Sequence, residues 1–346
     1  VKKFYLLLIL VIGSLLMVAC SSEGSKEGTK VTTSATTSQN SDSGLEEVNA
    51  RLAHSYPVEL FVSKGYEKFA ELAKEKSDGK INITIFPTGQ LYLDVNMPDA
   101  VTTGQVEFGV NTLEMWTSHV PAAEFSVLPI FDNYEHVHNA FDNGLNDVFV
   151  EEFTKVGARP IMWSDFGYAY YASVDEALTS PAEFEGKKIR TTSPLMAKYV
   201  ELAGGSPVTL SGEEVVQGLQ RGTVDAALSG VAGFTARQYY EFTNRYTGPF
   251  NAGIVSLTVN DAFWNGLSKE AQEIILEAAK EAQEWTTSEQ IKVHEESIKL
   301  LEQEGMLYEE LEKEAFSDIE KQVIDIYVEK TGEIGQKIIN IIDETR

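Results

Sequence analysis

From Gly186 to Gly230 the chain alternates short apolar runs with helix signals, and this order, strand–helix–strand–helix–strand, demands an α/β fold. The stretch reads G-K-K-I-R-T-T-S-P at Gly186–Pro194, G-G-S-P-V at Gly204–Val208 and L-Q-R-G-T-V-D-A-A-L-S-G at Leu219–Gly230. Its first strand carries Arg190 to the strand end. Ser193 then stands as N-cap and Pro194 at the first position of the following helix. A guanidinium beside a helix N-terminus is a place for an anion, because its fork matches a carboxylate and the unpaired helix N–H groups add positive potential.

The same grammar occurs earlier in the chain. Lys80–Phe86 alternates Ile81, Ile83 and Ile85 as a strand does. Asp94–Thr103 is expected to be a helix stopped by Gly104, followed by strand Val106–Val110. Ser211 and Glu214 form a capping-box pattern ahead of a helix that Gly222 ends, and Thr223–Leu228 follows as a strand. The phrases T-G-Q-V-E-F-G-V and R-G-T-V-D-A-A-L match in pattern. We therefore expect two α/β lobes whose strands face a common crevice, where open sheets bind ligands.

Elsewhere the pattern predicts a strand at Val58–Val62 and helices at Tyr66–Lys76 and about Tyr134–Asn143. Separate strands are expected at Val156–Trp163, Gly167–Ser173 and Ile254–Val259. His136 and His138 are two apart, so they cannot chelate as an i,i+4 pair and are expected at the surface. Trp116 is expected in the core. From Ser268 to Gly305 the apolar spacing is helical, which at some 36 residues gives about 54 Å, long enough to run under both lobes. Thr286-Thr287-Ser288 is the expected bend. Ala315–Lys330 and Glu333–Ile342 read as closing helices.

The chain of 346 residues carries 53 acidic against 28 basic residues, a formal net charge of -25. That excludes a nucleic-acid partner, whose affinity rests on Lys and Arg clusters. An anionic ligand must be held by local geometry against the overall field. Lys2 and Lys3, the apolar run Phe4–Val18 and the close Met17-Val-Ala-Cys20 read as residues 1–19 of a secretory signal. The single cysteine, Cys20, resembles a lipobox cysteine, which predicts a lipid-anchored, extracytoplasmic protein. Residues 20–45, rich in Ser, Thr and Gly, read as a disordered tether.

Catalytic spacings are absent: there is no G-x-S-x-G, H-E-x-x-H, G-x-G-x-x-G or G-x-x-x-x-G-K-[ST] in the chain. The five histidines stand apart from any nucleophile. Neither an enzyme, nor a cofactor, nor a metal site is expected.

The motifs of Gly186–Gly230 resemble those of the solute-binding proteins of tripartite ATP-independent periplasmic (TRAP) transporters, with G-x-K-[IL]-R, a small-residue/Pro turn and L-Q-x-G-x-V-D in order. Supporting stretches are Gly79–Phe86 with Gly89-Gln90-Leu91, Leu128-Pro129 with Phe131, and Leu257–Leu267. The likeness spans about 57–301. It implies a two-lobe periplasmic-binding-protein-like α/β fold with mixed sheets, a long helix spanning both lobes and hinge closure on a small organic acid anion. The first lobe is expected at 46–166 with 256–290, and the second at 167–255 with 291–346. Arg190 is implied to pair with the ligand carboxylate, with Ser229 and Asn111 or Thr112 completing the pocket and Ser193 and Ser211 nearby. Where members carry a further arginine, Gly167-Tyr168 is followed by Ala169. Tyr168 and Tyr170 crowd that place, pointing to a monocarboxylate or an acid with a tail stacked on tyrosine. Gly212 stands where a bulkier residue is usual. The implied partner is a TRAP-type membrane permease. A signalling receptor served by the same fold, and a secreted hydrolase, stay open as alternatives.

Overall fold

A computed structural model describes residues 45–346, so the expected signal, Cys20 and nearly all of the tether lie outside the described residues. In chain order the elements are β1 (Val48–His54), α1 (Phe61–Lys76), β2 (Ile81–Phe86), a 3-10 turn at Asp94–Asn96 running into α2 (Met97–Thr102), and β3 (Phe108–Thr112). Next come α3 (Tyr134–Ala140), a π turn at Phe141–Leu145, α4 (Asn146–Lys155), β4 (Ala158–Ser173), α5 (Pro181–Phe184) and β5 (Lys188–Thr191). They are followed by α6 (Pro194–Leu202), β6 (Ser206–Thr209), α7 (Val215–Gln220), β7 (Ala226–Gly230), α8 (Val231–Ala236) and β8 (Arg245–Gly248). The chain ends with β9 (Ala252–Asn260), α9 (Asp261–Gly266), α10 (Lys269–Gln303), β10 (Leu307–Glu310), α11 (Lys313–Thr331) and α12 (Glu333–Glu344).

The strands form a mixed sheet in the order β2-β1-β3-β9-β4-β7-β5-β6, with β8 on β4 and β10 on β8. β1–β2, β1–β3, β5–β6 and β5–β7 pair in parallel, whereas β9 runs antiparallel to both β3 and β4. β4 is the shared member. Its first part pairs with β9 and its last five residues with β7, so one strand belongs to both halves. One apolar cluster lies in the first half around Phe69, Phe108 and Leu257, a second in the other half around Val215, Phe234 and Tyr246, and a third runs through both, from Val106 and Trp116 to Phe184, Tyr199 and Phe250.

α10 is 35 residues long, begins at the Ser268 N-cap and packs on α1 near one end. Near its other end Ser297 meets Thr235 of α8 at 3.2 Å, so the helix spans both halves. It continues as one α-helix without interruption through Thr286–Ser288, where the sequence leads one to expect a bend. Thr286 turns its hydroxyl back to Ala282 O at 2.7 Å and is fully buried. It lies so close to α1 that a Cβ on Gly65 would stand 2.2 Å from its Oγ1.

Other expectations are corrected. Val58–Val62 is not a strand: Leu60 N donates to Pro57 O in a turn, and Phe61 and Val62 open α1. The two strands expected between 156 and 173 are one, β4, with irregularities at Pro160/Met162 and Asp165/Gly167 that absorb the break in alternation. β3 and β7 each sit two or three residues later than the pattern placed them, because tight turns after Gly104 and Gly222 consume the intervening residues. His136 is not at the surface: it is 5% exposed and its Nε2 lies 2.7 Å from Ile342 O of α12. Trp116 is in the core as expected, tilted over Phe153 at 4.6 Å.

Candidate functional site

Where the two halves of the sheet face each other, a cavity of about 80 Å³ opens between the ends of β3, β5 and β7. It has room for about three waters. Strand ends meeting at a change of strand order are where open α/β sheets accept ligands. Arg190 reaches it from β5, Thr112 and Glu114 from the end of β3, Ser229 from β7, Asp94 from the turn before α2, and Arg237 from the end of α8.

Arg190 is 8% exposed. Its Nε donates to Leu210 O at 3.0 Å and its Nη1 to Leu228 O at 3.1 Å. Among the described residues Nη2 has no protein acceptor. Burial pushes the guanidinium down from its usual range, opposed by Tyr239, Glu114 and Asp94. A buried cation with spare donors in a cavity calls for an anion.

The helix argument is corrected. Ser193 caps α6 by accepting from Met196 N at 3.2 Å. The anion at that terminus, however, is the protein's own: fully buried Glu124 accepts from Leu195 N at 2.7 Å and pairs with Lys330 of α11 at 2.5 Å. The helix end is satisfied internally.

Of the expected pocket residues, Arg190, Thr112 and Ser229 line the cavity. Ser229 turns its Oγ toward Gly233, where an added Cβ would meet it at 2.7 Å. Five others do not line it. Asn111 is wholly buried and accepts from Trp116 Nε1 at 2.8 Å. The Tyr168 hydroxyl accepts from Tyr134 N at 3.1 Å. Tyr170 packs edge-on against Tyr246 and Tyr308 on the far face. Ser193 is the α6 cap, and Ser211 donates to Glu214 at 2.8 Å. The tyrosines beside the cavity are Tyr56 and Tyr239 instead. Gly212 lies at the cavity with Arg237 Nη2 3.4 Å from where its Cβ would be, so the missing side chain makes room for a second guanidinium.

Sequence reasoning missed Arg237, Asp94, Glu114 and Tyr56. Burial, with Glu213 and Glu114 close by, pushes the Asp94 carboxyl up to about 7. Glu114 is raised as well, by burial, against the hydroxyls of Thr112 and Thr192 and the Arg190 charge. Glu213 reaches across to the Asp94 amide at 3.4 Å, which joins the two halves at the cavity rim.

A larger and more open groove, about 1040 Å³, lies between α3–α4 and α10. Its acidic and basic side chains that are not exposed, Asp165 and Arg159, are already paired. Asp165 accepts from His138 at 2.8 Å and from Thr287 at 3.2 Å, and Arg159 pairs with Asp261 at 2.9 Å. The small cavity, with unpaired donors and acceptors facing inward, is the stronger candidate. Among the described residues no group of three or more His, Cys, Asp or Glu is arranged to hold a metal ion. Among them, too, no helix is long and apolar enough to cross a membrane.

Comparison with known proteins bears on the family and the fold. The model of the family described as bacterial extracellular solute-binding protein, family 7 (DctP), matches residues 52–331. A protein of Haemophilus influenzae is 26% identical over 87% of this chain and 93% of its own length. The ectoine-binding periplasmic protein TeaA of Halomonas elongata is 26% identical over 79% of this chain and 83% of its own. In structure, a TRAP periplasmic solute-binding protein of Roseobacter denitrificans with bound β-D-glucuronate superposes with a TM-score of 0.83 at 24% identity, covering 86% of this chain and all of the other.

Proposed function

Because the chain belongs to the DctP family of bacterial extracellular solute-binding proteins, we propose that it is a receptor that holds an organic acid in the cavity between its lobes by pairing the carboxylate with Arg190. It delivers that acid unchanged to a TRAP-type membrane permease. The observation that carries the site is the Arg190 guanidinium, buried in the cavity lining, held by two backbone carbonyls and left, among the described residues, with no protein acceptor for Nη2. Thr112 and Ser229 lie on opposite walls, so a ligand between them touches both halves and favours their closure. The lobes so defined are 46–166 with 256–290 and 167–255 with 291–346. β4 and the segment around 250–252 cross between them side by side.

The test is calorimetry with a panel of organic acids on the chain from Glu46 onward. Removing one partner of a buried charged hydrogen bond costs about 2–5 kcal/mol, so Arg190→Ala is expected to weaken the best acid at least tenfold. Binding near wild type would remove the assignment. Relatives and neighbours bind ectoine and glucuronate, so the panel should span zwitterions and sugar acids.

The same reading places the protein on the outer face of the cell membrane through lipid on Cys20. Its support is the run of Lys2, Lys3 and Phe4–Val18 ahead of Val-Ala-Cys. Radiolabelled fatty acid is expected to enter the wild-type protein and not Cys20→Ala; equal labelling of both would dismiss it.

A further inference from the structure

We propose that the acid held by Arg190 also carries an ammonium group, as an amino acid does, and that Asp94 and Glu114 receive it. This rests on the receptor reading above and narrows its ligand to a zwitterion.

Two observations carry it independently. The first is charge. Two guanidiniums, Arg190 and Arg237, line the cavity, and so do two carboxyl groups, Asp94 and Glu114, with Glu213 at the rim. A ligand with only a carboxylate satisfies the arginines and adds negative charge beside the acids. A ligand bearing both charges satisfies both sets. The second is unmet hydrogen bonding. Asp94 is 6% exposed and Tyr56 is 4% exposed, both line the cavity, and Asp94 Oδ1 and the Tyr56 hydroxyl are buried without any partner. Asn251, also in the lining, has its Oδ1 buried and unpartnered as well, and because buried polar atoms are nearly always bonded, three unmet ones in one small cavity mark where a ligand group belongs.

The groups that face Asp94 set its pH response. They are Glu213 from the loop before α7, Glu114 after β3, Arg190 of β5, Arg237 at the end of α8 and Tyr56 after β1. With its carboxyl pushed up to about 7, Asp94 is largely protonated at pH 6 and largely ionised at pH 8. An ammonium ligand needs the ionised form, so its affinity rises across that interval. A plain carboxylate is repelled by that form, so its affinity falls. The two ligand classes have slopes of opposite sign.

The experiment is calorimetry on the chain from Glu46 onward at pH 6 and pH 8. Its ligands are trios of three-, four- and five-carbon acids bearing an ammonium, a hydroxyl or a hydrogen beside the carboxylate, beginning with alanine, lactate and propionate. In the chain length that binds, the ammonium member is expected to bind at least tenfold tighter than the other two at pH 8, and more weakly at pH 6. Asp94→Asn, its fold checked by circular dichroism, is expected to close most of that gap while Arg190-dependent binding persists. A hydroxyl or unsubstituted member that binds as tightly as the ammonium member, with binding abolished in Arg190→Ala, overturns the zwitterion inference and leaves the receptor reading standing. If no member of any trio binds, the zwitterion inference is overturned, and the receptor reading is then decided by the wider acid panel.

Discussion

Arg190 owes its direction to the carbonyls of Leu210 and Leu228, one at the end of a neighbouring strand and one within another. Arg190, next to last in β5, is legible in sequence because a short apolar run stands directly ahead of the Ser193–Pro194 helix start. Arg237, Asp94 and Tyr56 are not legible. They reach the cavity from the end of a short helix, a 3-10 turn and a loop, whose side chains are aimed by tertiary packing and not by local periodicity. Histidines misled for the same reason. His54, unremarked by any motif, is 1% exposed between Tyr56 and Tyr66, and burial pushes it down to about 4. The unfolded chain takes up that proton near pH 6.5 and the folded one only near 4. Stability from this residue is therefore complete above 6.5 and is lost as pH falls toward 4. His54→Gln is expected to narrow the difference between urea midpoints measured at pH 7.5 and pH 4.5; an unchanged difference would show that other groups govern the acid limb.

α10 could be recognised from its apolar spacing, with Ser268 as cap, but its continuity through Thr286–Ser288 could not. Three hydroxyl residues in a row look like a break until Gly65 of α1 is found opposite Thr286. Gly65 is there for clearance. Gly65→Ala places a methyl 2.2 Å from Thr286 Oγ1, and overpacking of this kind costs about 1–3 kcal/mol. We expect a lower urea midpoint, partly restored by adding Thr286→Ala, since contacting residues respond non-additively. A double variant no better than the single one would place the strain elsewhere. β4 reads as two strands in sequence, and the gap between them holds Ser164 and Asp165. Both are buried, and Asp165 is bonded to His138 and Thr287 where the strand shifts register. The interruption marks a change of sheet, and alternation alone cannot separate that from an end.

Across the whole molecule the α/β class and the paired lobes follow from repeated strand–helix–glycine phrases, whereas the sharing of β4 depends on strands far apart in sequence. Glu213, in the second lobe, meets the Asp94 amide of the first. A ligand engaging Arg190 and Asp94 together adds to that contact. Small-angle scattering is expected to show a smaller radius of gyration with a bound acid than without, and no change for Arg190→Ala. An identical radius in both conditions would argue that binding occurs without closure.

β4 passes from one half to the other directly beside the returning segment, with Ala169 bonded to both Phe250 and Asn251. Two ribbons fastened together resist sliding and splaying far more than twisting about their common direction. The motion they permit is therefore nearly one-dimensional. On the receptor reading proposed above, each closure brings the same rim residues into the same register, so that a membrane partner inspecting that rim tells loaded from empty without touching the cargo.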